Sequence, residues 1–171
     1  MSGLPRVVLF QPQIPPNTGN VARTCAATGA ELHLIEPLGF SLDDRQLKRA
    51  GLDYWPWVPL HVHPGFEALH AERQRRGGRL LALSSQADQP YQHCTYRRDD
   101  WLLFGRESDG LPPELLEQAD LRLTIPMPRS VRHGGGVRSL NLSVSVAVVL
   151  FEALRQLETG MEVVSRWQDR P

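Results

Sequence analysis

The strongest constraint on what this chain can fold into is an alternation. Short, largely apolar runs of strand length take turns with helical segments. The runs are "RVVLFQ" (6–11), "ELHLIEP" (31–37), "RLLALSS" (79–85), "WLLFG" (101–105) and "LRLTIP" (121–126). A strand covered on both faces reads as a nearly continuous apolar run. Between them lie "NTGNVARTCAATG", a helix closed by Gly29, and "LDDRQLKRAG" (42–51), which has an acidic start and a basic end. "PGFEALHAERQRRGG" (64–78), "PPELLEQA" (112–119) and a long final helix at about 141–158 complete the set. "PWVPLHV" (56–62) reads as extended, its prolines suiting an edge. The pattern predicts an α/β fold with a mainly parallel sheet and helices on both faces. No repeat or linker interrupts it, so residues 1–160 read as one domain and 161–171 as a loosely held polar tail. The aperiodic segment 84–100 reads as a surface loop.

Composition narrows the function classes. Nineteen Lys and Arg balance nineteen Asp and Glu, so no global basic surface advertises nucleic acid. Lys48 is the only lysine, and all other fixed cations are arginines, whose planar fork suits phosphate. Biased coding explains the same excess. "RQRRGGR" (73–79) and "YRRDD" (96–100) are candidate phosphate contacts, weighed against an ordinary solvated face. Cys25 and Cys94 are far apart and in no C-x-x-C pattern, which points to free thiols and the cytoplasm. The longest apolar stretch is too short to span a bilayer, so no membrane partner is expected.

Parallel sheets of this kind bind ligands beyond the carboxyl ends of their strands. The polar and glycine-rich segments sit at those exits: "QPQIPPNTGN", "SSQ", "GRESDGLP" and "PMPRSVRHGGGVRSLN". No P-loop or dinucleotide fingerprint is present, and "HGGG" (133–136) lacks the G-x-S-x-G elbow of an esterase. His61 and His63 face one side of a strand but are too few for a metal site, so structural or surface roles are expected. Asn17 is placed to cap the helix that carries Arg23. Glu107 sits in a tight turn between Gly105 and Gly110. Ser139 and Asn141 open the final helix, where a cap and a ligand contact are both plausible readings.

"NTGNVARTCAATG", "LLFGRESDGLP" and "RSLNLSVSVAVVLFEALRQ" together resemble the three signature motifs of the SPOUT superfamily of RNA methyltransferases. "IPPNTGN" and "KRAGLDYW" are most similar to its minimal YibK-type subgroup, the tRNA (cytidine/uridine-34-2′-O)-methyltransferases. The resemblance runs through nearly the whole chain. It implies a C-terminal trefoil knot, a homodimer, tRNA as substrate and S-adenosylmethionine as cofactor, with no metal. Matching positions make Leu83, Gly105, Ile125, Met127, Ser139 and Leu140 cofactor contacts. Arg23, Asn17, Glu107, Ser139 and Asn141 become the catalytic set, with Arg23 nearest the ribose 2′-hydroxyl. A guanidinium stays protonated, so the expected role of Arg23 is to clamp a phosphate and polarise the hydroxyl. The residue types suit an adenine site, where glycine permits close backbone approach and apolar side chains sandwich the ring.

Two features depart from that pattern. The connection from Ile125 to Ser139 is long and carries "RSVRHGGG", and Phe151 stands where many relatives have Tyr. Two rival readings stay open: a methyltransferase acting at another tRNA or ribosomal position, and a non-catalytic RNA-binding or cofactor-sensing protein.

Overall fold

The computed structural model describes residues 3–43, 45, 47, 49, 54–128 and 136–158. The strands are β1 (Arg6–Phe10), β2 (Leu32–Ile35), β3 (Leu60–His63), β4 (Leu80–Leu83), β5 (Gln89–Pro90), β6 (Trp101–Phe104) and β7 (Leu121–Thr124). The helices are α1 (Pro15–Thr28), α2 (Phe66–Arg76), α3 (Pro113–Gln118) and α4 (Leu142–Glu158). All the strands pair in parallel in one sheet of order β3-β2-β1-β6-β4-β7-β5. The expected helix at 42–51 and the C-terminal tail fall partly or wholly outside the described residues, as does most of the glycine-rich insertion.

The alternation of side chains explains the layering. Val7 and Leu9 of β1 point to one face, where α1 and α4 deliver Val21, Cys25, Val146, Val149, Leu150 and Ala153. Val8 and Phe10 point to the other, where α2 and α3 deliver Phe66, Leu69 and Leu115. Both faces are therefore dry, and the central strands need no polar side. Both cysteines are free and buried. Burial holds the Cys25 thiol protonated, pushed up to about 12.

Local signals set the boundaries. Gly29 ends α1 in the left-handed region, and its N–H donates to the Cys25 carbonyl. The stretch read as extended from residue 56 instead begins with a 3-10 turn at Trp55–Trp57, and the strand starts only at Leu60. Two prolines, Pro56 and Pro59, lack the donors a ladder needs, which delays pairing. β3 is an edge strand, as its prolines imply. Segment 84–100 is more than a surface loop. It contributes β5, and it buries Cys94 and Tyr96. Gln156 of α4 fixes it, accepting from the Tyr96 N–H at 3.1 Å and donating to the Cys94 carbonyl at 2.9 Å.

Candidate active site

A cavity of about 590 Å³ opens beyond the carboxyl ends of β4, β6 and β7. Its wall includes Leu83, Gly105, Ile125, Met127, Ser139 and Leu140, the six expected cofactor contacts, and also Asn17, Glu107 and Asn141. These residues come from four separate strand exits. Only the sheet order brings them together, because β4 and β6 are neighbours and β7 flanks β4.

Glu107 joins two of those exits. Its Oε2 accepts the Gln13 N–H at 2.8 Å, and its Oε1 accepts the Ile14 N–H at 3.1 Å and the Asn17 Nδ2–H at 3.3 Å. Gln13 answers from the other side, its Oε1 accepting the Ser108 N–H at 3.1 Å. Asn17 had been expected to cap α1. The helix instead begins at Ile14, which has no side-chain cap, and Asn17 lies inside the first turn. Pro15 and Pro16 carry no N–H, so the donors needing a partner at this end include those before the helix, and a carboxylate from a distant turn supplies it.

Asn141 joins the third exit. Its Nδ2 donates to Asn17 Oδ1 at 2.9 Å. Its Oδ1 accepts both the Ser143 N–H, at 2.9 Å, and the Ser143 hydroxyl, at 2.7 Å. Asn141 therefore caps α4 and links it to α1 at once. Ser139 is exposed on the cavity wall and is not the cap. Asn17 is itself buried, and through it the half-buried Glu107 and the exposed Asn141 are linked in one polar chain.

Gly105, on the cavity wall, also meets a demand of the turn that follows it. A Cβ there would strike the backbone of Gly110 and Leu111, not the cavity. The glycine lets the Glu107 turn close on itself, with Arg106 and Gly110 exchanging backbone bonds at 3.1 and 2.9 Å. Gly110 has φ 76°, the left-handed conformation that turn requires.

Arg23 does not line this cavity. It is exposed on α1, its guanidinium 4.9 Å from the Tyr54 ring centroid. The candidate phosphate contacts in 73–79 are engaged within the chain. Arg73 pairs with Asp120, Arg75 with Glu72, Arg76 with Glu31 and Arg79 with buried Asp100. Sequence spacing misses such pairs because three of the four partners are distant in the chain.

At the edge of the sheet, His61 and His63, the pair read from sequence as sharing one side of a strand, are joined by Glu31 and His33, which the sequence reading missed. His33 is fully buried, its Nδ1 2.9 Å from His63 Nε2 and its Nε2 3.3 Å from Glu31. Burial, reinforced by His61 and His63, pushes His33 down to about 3, so its ring is neutral at ordinary pH. Both Glu31 oxygens accept from Arg76, at 2.7 and 2.6 Å, which makes the cluster an ion-paired clamp between β2 and α2.

The match to known proteins follows this architecture. The SpoU rRNA Methylase family profile covers residues 5–151. A protein of Synechocystis sp. is 53% identical over 154 residues, spanning 90% of this chain and 97% of its own. The tRNA (cytidine(34)-2'-O)-methyltransferase of Burkholderia cenocepacia is 47% identical over 150 residues, spanning 88% and 94%. A structure solved to explain 2-OH methylation of C/U34 on tRNA superposes with TM-score 0.85 at 50% identity, covering 94% of this chain and 99% of that one. The AdoMet-bound rRNA methyltransferase of Sinorhizobium meliloti superposes with TM-score 0.81 at 27% identity, covering 92% of this chain and 58% of its own. With its motifs on the strand exits of a parallel sheet and its profile matched over most of its length, the chain belongs to the SpoU rRNA methylase family.

Proposed function

We propose that this protein transfers the methyl group of S-adenosylmethionine to the ribose 2′-hydroxyl of the wobble nucleotide, position 34, in the tRNA anticodon loop. The observation that carries the reading is the cavity at the strand exits, tied together by Glu107, Asn17 and Asn141, in a chain similar over nine tenths of its length to tRNA C34 methyltransferases. The cavity fits the cofactor. Its volume lies in the range for small-molecule sites, and it pairs apolar Leu83, Ile125, Met127 and Leu140 with polar Ser84 and Ser139. When bound, the cofactor supplies an activated methyl group on a positively charged sulfur.

The protein's own residues then have three tasks: to place the ribose in line, to ease the proton off its hydroxyl and to exclude water. Glu107 holds loops and is no general base, since three N–H donors already occupy its oxygens. Asn17 and Asn141 fix the helix ends that frame the ribose. Arg23 clamps the adjacent phosphate and polarises the hydroxyl, with a phosphate oxygen or water taking the proton.

Because Arg23 lies on the outer stripe of α1, it reaches substrate most simply at the cavity of a second copy. The same face of the sheet carries the exposed Val144 and Phe151 of α4, two turns apart, which suit burial in a homodimer. This reading includes the C-terminal trefoil knot and a cytoplasmic site of action. Among the described residues, no helix is long and apolar enough to cross a membrane.

The test is to incubate the purified protein with S-adenosylmethionine and either unmodified or native tRNA, then map 2′-O-methyl groups by mass spectrometry. A methyl group at the wobble ribose is expected. Methylation at another tRNA or ribosomal position keeps the chemistry and overturns the substrate. Cofactor binding without methyl transfer to any RNA overturns the enzyme reading.

A further inference from the structure

Two large aromatic side chains stand exposed on the turn that packs against α1, outside the cavity, and Arg23 lies over one of them. Tyr54 is 37% exposed and Trp57 is 72% exposed, the most exposed of the large hydrophobic residues described. Tyr54 precedes and Trp57 ends a 3-10 turn, in which the Trp57 N–H donates to the Tyr54 carbonyl at 2.9 Å. A 3-10 turn has three residues per revolution, so side chains three apart lie one above the other. Tyr54 and Trp57 therefore share the outward side.

The rest of the turn holds them there. Trp55 packs partly buried against the core, and Val58 is buried beyond it. Pro56 removes backbone freedom between them. α1 packs against this turn, and the Arg23 guanidinium lies over the Tyr54 ring. The result is a stiff ledge of two aromatic side chains and one cation, next to the helix that sends Asn17 into the cavity wall.

We propose that Tyr54 and Trp57 form a stacking ledge for an unpaired base of the anticodon loop, with Arg23 on the phosphate beside it. This rests on the tRNA reading above and goes beyond it by assigning a second, cofactor-independent contact to the substrate. Aromatic faces accept any base, and splayed bases in a single-stranded loop present the matching surface. A cation at the edge of the ledge complements the strand's phosphates. A purely apolar self-contact would have to desolvate that cation, which argues for RNA over a second copy of the chain as occupant. Tyr54 and Trp57 act here as positioning residues. They hold the loop while Arg23 meets the target nucleotide at the cavity of a second copy.

The experiment measures four proteins, wild type, Trp57→Ala, Trp57→Phe and Tyr54→Ala, against a synthetic anticodon stem-loop and against the same stem closed as a fully paired duplex. Thermal melting and S-adenosylmethionine binding report folding, and Tyr54→Ala provides a second, independent removal of the ledge. Trp57→Ala and Tyr54→Ala are each expected to weaken stem-loop binding about tenfold. They should raise KM for tRNA with a smaller change in kcat and leave duplex binding and cofactor affinity near wild type. Trp57→Phe is expected to restore most of the affinity. The stem-loop should quench wild-type tryptophan fluorescence by more than it quenches that of Trp57→Phe.

Wild-type methylation with unchanged stem-loop affinity in both alanine variants overturns the ledge and leaves the enzyme reading intact. A change of oligomeric state in Trp57→Ala, seen by sedimentation, also overturns it by making this face a contact between copies. A wild-type protein that neither binds nor methylates the stem-loop overturns both readings.

Discussion

Glu107 commits both carboxylate oxygens to the exit of β1, so its substitution tests the site through geometry more than through charge. Glu107→Gln keeps the size but turns one acceptor into a donor facing an N–H. A stability loss of about 1–3 kcal/mol is expected from the partner left unpaired. A urea titration with and without S-adenosylmethionine reads it, and methyl transfer should fall further than stability alone explains. Arg23 poses the opposite test, because among the described residues its guanidinium is held by stacking on Tyr54. Arg23→Lys should leave melting unchanged and lower kcat at least tenfold if the planar fork holds a phosphate bidentately. Substantial retained activity would show that charge alone is enough. At this scale the sequence was partly deceptive. Asn17 looks like a helix cap by residue type, yet Ile14 holds the N-cap position with no side-chain cap, and the N–H groups just before the helix are met by a carboxylate about ninety residues away. Helix-capping preferences are local rules, and nothing local to "QPQIPPNTGN" announces a distant acceptor.

The elements of the site are held at their ends. α4 is capped by Asn141, and the same amide reaches Asn17 on α1. Asn141→Ala should cost about 1 kcal/mol for the lost cap. It should also weaken cofactor binding by loosening the junction, a loss that isothermal titration separates from melting. The turn between β6 and α3 gives a sharper contrast. Gly105→Ala drives a methyl group into the backbone of Gly110 and Leu111 and should lower Tm by several degrees. Gly65→Ala, with no atom within 4 Å of the added Cβ and an extended backbone at φ 177°, should leave Tm nearly unchanged. Differential scanning calorimetry of the two variants settles which glycine carries a structural demand. Strand and helix positions were readable from apolar runs and from Gly and Pro signals, within a few residues. The 3-10 turn at Trp55–Trp57 and β5 were not, because short elements have too few residues to show a period.

For the molecule as a whole, the buried histidine sets an acid dependence. His33 is pushed down to about 3 in the folded protein, against about 6.5 in an unfolded chain. Between those values the unfolded state binds the extra proton, so stability rises with pH across the window and is lost as pH falls from about 6.5 toward 3. Glu31, held down to about 2 by its bonds to Arg76, adds a further loss as pH falls below the ordinary carboxylate range. Tm measured from pH 8 to pH 4 should fall steadily below about 6.5, and His33→Gln should flatten that fall. An unchanged slope in His33→Gln would place the dependence elsewhere.

Read alone, the sequence determined the α/β class, the parallel sheet and the strand-exit segments from which the cavity wall is built, because burial on both faces and ligand loops at strand exits leave marks in local patterns. Leu83, Gly105, Ile125, Met127, Ser139 and Leu140 came from the family resemblance of the motifs, not from local pattern, and all six line the cavity. Tertiary structure alone decided what holds them. The order β1-β6-β4-β7 sets the exits side by side, Glu107 bridges two of them, and Arg23 faces outward beside Tyr54 and Trp57. Such facts depend on which distant segments become neighbours, and a hydrogen bond across ninety residues leaves no periodicity in the chain.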